Sequence, residues 1–197
     1  MAPKPFHHGN LRVELMDRAE TVLRERGVEA LSLRELARDA GVSHGAPRSH
    51  FADRGALLDA LAERGFDRLN AALQAALQRD DGLPARLHAA ANAYVGFAVG
   101  EPALLDLMYA AKVEARGDGV HAATRLFATM SSLIAEGVDA GLLTPAATDG
   151  DIVRFTMLVS AVFQGIASLV TSGRIDRLAG DRLVDDAIAL LTAAPRD

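Results

Sequence analysis

Ser43, His44, Gly45, Arg48, Ser49 and His50 fall within eight consecutive residues, and Arg54 follows four positions later. Hydroxyls, imidazoles and guanidinium groups so clustered suit hydrogen bonding to phosphate oxygens and to the edges of nucleic-acid bases. His44, Arg48 and Ser49 are not needed for a local core, so they are the leading contacts. Gly45 has no side chain and would permit close approach or contact with a thymine methyl. Ser43 and His50 each have two readings. The Ser43 oxygen can cap a helix or meet phosphate, and the His50 ring can pack or meet phosphate. Arg54, at the start of a following helix, would meet phosphate.

The rest of the chain lacks the usual signatures of catalysis. There is no Gly-rich phosphate loop, nucleophile elbow or His-Glu metal motif, and Glu114, His88 and His121 are scattered. No catalytic residue, no metal site and no cofactor is therefore expected. With no cysteine, disulfides and thiolate metal sites are excluded, in keeping with a reducing cytoplasm. Met1–Asn10 has no apolar run of signal-peptide length. Net charge is −5 but uneven: the first 55 residues hold nine Lys/Arg against eight Asp/Glu, the remainder twelve against eighteen. Only the head of the chain could face a polyanion.

Apolar residues recur at helical spacing almost throughout, which predicts an all-α fold of about nine helices. The first helix spans about Leu11 to Arg26, with Asn10 as its cap and Gly27 as its stop. Ser32 and Glu35 have the spacing of a capping box for the second, which Gly41 ends. Ser43 would cap a short third helix to Phe51, and Asp53 a long fourth one to about Asp80. Further helices are expected at about 84–99, 101–114, 119–140, 149–173 and 181–193. Helix, Gly-containing turn and short helix over Ser32–Phe51 make a helix-turn-helix, whose second helix can enter a major groove.

The stretch RAETVLRERGVEALSLRELARDAGVSHGAPRSHFADRGALLDAL, within residues 11–61, resembles the DNA-binding head of the TetR/AcrR family of regulators. Ala40-Gly41-Val42-Ser43, His50-Phe51 and Asp53-Arg54 stand in the family's order. Pro47-Arg48 replaces the usual Leu-Tyr, so Arg48 takes the place of a common phosphate contact. Later, Phe163-Gln164-Gly165 matches the glycine and apolar pattern of members with a Trp and a His-Gly pair, although the Trp is missing and the His is Gln164.

The resemblance implies an N-terminal three-helix head, residues 1–52, that binds DNA. It implies a C-terminal helical bundle, residues 53–197, that dimerises and senses a small molecule. The expected function is a repressor, binding a near-palindromic double-stranded operator as a homodimer and released by an apolar or aromatic effector. Tyr94, Phe97, Leu104, Met108, Tyr109, Phe127, Met130, Phe155 and Gln164 are the candidate pocket residues, against plain core packing. Phe155 to Gly173 carries no charge and would lie at a dimer interface rather than in a membrane. Val162, Gly165, Ile166 and Leu169 would pack there with Val184, Ile188 and Leu191. The fourth helix would link sensor to head, with Gly55 and Gly65 softening it or Gly65 simply packing. A helical carrier or interaction protein with a vestigial helix-turn-helix is the alternative.

Overall fold

Glycines and aspartates set the ends of several helices. The computed structural model describes residues 11–78, 82–110, 119–145 and 150–192. Among them are α1 (Leu11–Arg26), α2 (Leu33–Asp39), α3 (Arg54–Leu77), α4 (Gly82–Gly100), α5 (Pro102–Ala110), α6 (Gly119–Asp139), α7 (Ile152–Thr171) and α8 (Arg177–Thr192). Two 3₁₀ turns, Val28–Ala30 and Ala46–Ser49, flank α2. No strand occurs among the described residues, so the all-α expectation holds. The described α-helices number eight rather than nine, because the expected third helix is the Ala46–Ser49 turn.

Caps explain several boundaries. Asp53 accepts from Ala56 N at 2.8 Å and starts α3, and Asp151 accepts from Arg154 N at 3.1 Å and starts α7. Asp176 does the same for α8, accepting from Ala179 N at 2.7 Å. That helix therefore begins four residues earlier than expected, and Asp185 and Asp186 lie within it rather than at its start. Ser32 holds the cap position of α2 in extended backbone, but its side chain makes no cap bond, so the capping box is not formed. Asn10, Asp80, Asp149, Glu114 and the end expected for the helix at 101–114 lie outside the described residues.

The described residues divide into two compact units. The first holds 11–65 with 103–110. Leu15, Ala19, Leu23, Leu31, Leu36, Phe51, Leu57 and Leu61 are buried in it. Arg64 pairs with Asp17 at 2.7 Å and Glu20 at 3.1 Å, joining the early part of α3 to α1. A Cβ on Gly65 would come within 2.6 Å of the Met108 sulfur, so this glycine lets α5 approach α3 closely. Close packing, not softness, is its role.

The second unit holds 66–102 and 121–192. Here α4, α7 and α8 pack on one another. Arg125 reaches Asp67 at 2.6 Å, and Thr129 donates to Asn70 Oδ1 at 2.9 Å, tying α6 to the end of α3. Arg86 on α4 bonds Glu136 on α6. Ile152–Thr171 is long and apolar enough to cross a membrane by length and composition. In this fold its Phe155, Val159, Phe163 and Ile166 are instead buried in the unit.

Candidate nucleic-acid interface

The helix-turn-helix is built on a glycine and a proline. After α2, Gly41 takes φ 69°, and its N–H and that of Val42 bond back to Arg38 O and Ala37 O, each at 3.0 Å. This closes the helix in a Schellman motif and turns the chain sharply. Pro47 then decides the shape of the next element. An α-helix from Ser43 would need the N–H of residue 47 to bond Ser43 O, and proline has none. Ser43 O accepts from Ala46 N at 3.0 Å instead, and Arg48 N bonds Gly45 O at 3.1 Å. The second element of the motif is thus a 3₁₀ turn, Ala46–Ser49, with Gly45 rather than Ser43 in the cap position.

The turn has two sides. Pro47 and Phe51 are buried beneath it, and the Arg12 guanidinium lies 4.6 Å over the Phe51 ring. Arg12 also bonds His50 O at 3.0 Å, pinning the end of the turn to α1. On the outer side Ser43, His44, Gly45, Arg48 and Ser49 are exposed, and His50 is half-buried. Ser49 donates to Ala46 O at 2.7 Å, which leaves its oxygen able to accept. Arg54 is differently placed. It donates to Leu31 O at 3.1 Å and Val28 O at 2.7 Å, so in the free chain it fastens the Val28–Ala30 turn to the start of α3.

His44, Gly45 and Arg48 share an open depression with Ser32, Arg34 and Arg54. Arg34, exposed on the first turn of α2, was not singled out from the sequence, where nothing distinguishes it from an ordinary solvent-facing arginine. Nothing lies within 4 Å of a Cβ built on Gly45, and its φ of −85° suits any residue. The fold itself does not require glycine there. Gly45→Ala should therefore leave the melting temperature unchanged or raise it slightly. It should weaken operator binding several-fold in a gel-shift titration if a DNA surface approaches at that point; equal affinity would take Gly45 off the contact surface.

The pocket residues scatter. Tyr94 and Met130 line a recess in the second unit, together with Leu73, Leu77, Leu133, Thr156, Ser160 and Phe163. It has room for water centres of about 60 Å³. Leu104 and Met108 are buried in the first unit against the Gly65 position, and Tyr109 on the same helix is 46% exposed. None of those three reaches the recess. Phe155 is buried, Phe127 half-buried and Gln164 exposed, and none lines it. Phe97 packs under Arg68, whose guanidinium is 5.8 Å from the ring centre, and is likewise not in the wall. Aromatic content marked these positions in the sequence, whereas the recess is walled mainly by aliphatic side chains.

The expected dimer residues also divide. Val162 and Gly165 are exposed and Leu169 and Leu191 half-buried, but Ile166, Val184 and Ile188 are buried within the protomer. Those three spend their apolar surface on the second unit's own core. The outer faces of α7 and α8 instead carry Val153, Met157, Leu158, Leu178, Leu183 and Leu190.

Residues 15–61 match the family model described as bacterial regulatory proteins, tetR family. Residues 87–194 match that of the tetracyclin repressor-like C-terminal domain. A solved protein of unknown function from Rhodococcus sp. RHA1 is 42% identical, with 97% of this chain and 100% of that one aligned and a TM-score of 0.84. A tetR-family regulatory protein from Rhodococcus RHA1 is 21% identical over 94% and 98% of the two chains, with a TM-score of 0.71. The fatty acid degradation regulator FadR from Bacillus halodurans is 15% identical over 98% and 99%, with a TM-score of 0.68, a likeness of fold. No curated protein sequence is similar enough to count as a match.

Proposed function

Because the chain belongs to the TetR family of bacterial transcriptional regulators, with a DNA-binding helix-turn-helix, we propose that it is a cytoplasmic repressor that binds a near-palindromic operator as a homodimer. The observation that carries this reading is the two-sided turn: Pro47 and Phe51 are buried while His44, Arg48 and Ser49 stand exposed above them. Side chains held this way can meet base edges and phosphates without loss of the core.

The partner in the dimer is a second copy of the chain. Seven large apolar side chains exposed on two neighbouring helices, Val162 among them, form more bare surface than scattered exposure accounts for. Gly165 is exposed with no atom within 4 Å of a Cβ position, so a helix of the second copy could approach closely there. A two-fold axis through this face would set the heads about 34 Å apart, one turn of DNA, or at a multiple of it.

The second unit would act as the sensor. Its recess is apolar and would take a small apolar effector that releases DNA. Leu73 and Leu77 of α3 line the recess, and α3 is continuous back to Arg54, so it is the natural link to the head. Release requires that the effector favour the state in which the two heads no longer match successive grooves, at a coupling of roughly 1–3 kcal/mol.

Arg48→Ala tests the head. It should weaken operator binding by about 1–3 kcal/mol, the range of a charge-assisted hydrogen bond, and flatten the salt dependence by about one phosphate. Unchanged affinity at physiological salt would remove Arg48 from the interface. A wild-type protein that shows no operator preference at any salt, yet fills its recess, would leave the carrier reading instead.

A further inference from the structure

We propose that the recess of the second unit selects a compact, uncharged, single-ring molecule carrying one hydrogen-bond donor, and that Thr156 and Ser160 are the acceptors that recognise it. The proposal rests on the reading of this unit as a sensor and adds the chemical class of its ligand.

Size is the first constraint. Each water needs about 10–15 Å³ of such space and occupies about 30 Å³ of liquid. A volume of 60 Å³ therefore holds about four to six waters, the bulk of one substituted six-membered ring.

Charge is the second. No Lys, Arg, His, Asp or Glu lines the recess. An ion brought there would lose its hydration with no counter-charge to replace it, so carboxylates and ammonium ions are rejected.

The third constraint is the direction of the wall's hydrogen bonds. Thr156 is buried and donates its proton to Ile152 O at 2.8 Å. Ser160, one turn further on the same helix, donates to Thr156 O at 2.7 Å. Among the described residues its other partner is the Met130 sulfur at 4.0 Å, a far weaker bond than the short one to a carbonyl. Each hydroxyl has thus spent its one proton on its own helix and keeps lone pairs. The Thr129 hydroxyl is more fully used, donating to Asn70 and already accepting from Gln74 Nε2 at 3.1 Å. Two acceptors one helical turn apart on α7, in an apolar wall, are matched by a ligand O–H or N–H.

Phenol, toluene and benzoate share a ring and differ at one substituent, so their dissociation constants from the full-length protein, by calorimetry, form the test. A wholly apolar wall would favour toluene, which is easier to strip of water than phenol. The expected result is that phenol binds at least as tightly as toluene and benzoate at least about 30-fold more weakly. Thr156→Val keeps the side-chain shape and removes the acceptor. It should move the phenol-to-toluene ratio about fivefold toward toluene while toluene's own affinity holds. Ser160→Ala should shift the ratio in the same direction and serves if the valine variant does not fold. Toluene favoured equally in all three proteins, or benzoate bound as well as phenol, would overturn the ligand class and leave the sensor reading intact. Binding of none of the three would overturn both.

Discussion

Leu158→Glu combined with Leu190→Glu should turn the protein into a monomer at micromolar concentration and lower operator affinity at least about 100-fold. Leu158 is 45% exposed and Leu190 79% exposed, so in an isolated protomer both glutamates stay in water and the second unit keeps its core. In a dimer closed over α7 and α8 each would be stripped of water against apolar side chains, at a cost of several kcal/mol. Separated heads then meet single half-sites without the high local concentration that linkage provides, typically worth 10²–10⁴ in affinity by order of magnitude. Sedimentation equilibrium and gel-shift titration on the same preparation check the two halves. A variant that still sediments as a dimer with unchanged affinity would place the self-association face elsewhere.

Phe51→Ala should destabilise the first unit by about 3–5 kcal/mol, the usual cost of emptying a buried phenylalanine site. The ring is 2% exposed, carries the Arg12 guanidinium over its face, and sits where the reading turn returns to α3. Its loss empties a core site just after the turn, whose backbone Phe51 N ties to Pro47 O at 2.9 Å. Operator binding should vanish near physiological temperature. Toluene binding to the second unit, whose recess is lined by residues of that unit alone, should persist. Calorimetry that finds the melting profile of the whole chain unchanged would remove Phe51 from the core.

Periodicity and caps made most of the helical fold legible. Asp53, Gly27 and Gly41 mark their boundaries in sequence because each satisfies a local need: a first-turn amide without a partner, or a left-handed backbone. Where two needs compete at one residue, sequence misleads. Gly180 stands just ahead of the helix expected at 181–193, yet it lies inside α8, where a Cβ would come within 2.5 Å of Val170 Cγ2. Pro47 falls in the first turn of the helix expected from Ser43, but the amide it lacks is the one that would bond Ser43 O, so a 3₁₀ turn stands in place of that helix.

The candidate site was legible to different depths. The exposed residues of the reading turn follow from their poor fit to a core. The recess does not follow from composition, because Met108 and Met130 are alike in sequence and lie in different units. On α8 the sequence does not separate the apolar residues that stay within the protomer from those that face outward. Leu183 and Val184 are both apolar, and only the packing of Val184 into the protomer tells which of the two is spent.

The division of labour in the Ala46–Ser49 turn bears on how such a regulator changes its target. Pro47, with Phe51 below it, holds the backbone path, while His44, Arg48 and Ser49 hold up no part of the core. Substitutions at those three positions are therefore close to neutral for folding, and if the proposed interface holds they are free to alter base preference. After gene duplication, a copy could move to a new operator through a few surface changes, each intermediate still folded. The proline that shortened the reading element also made the backbone beneath it indifferent to what is written on top.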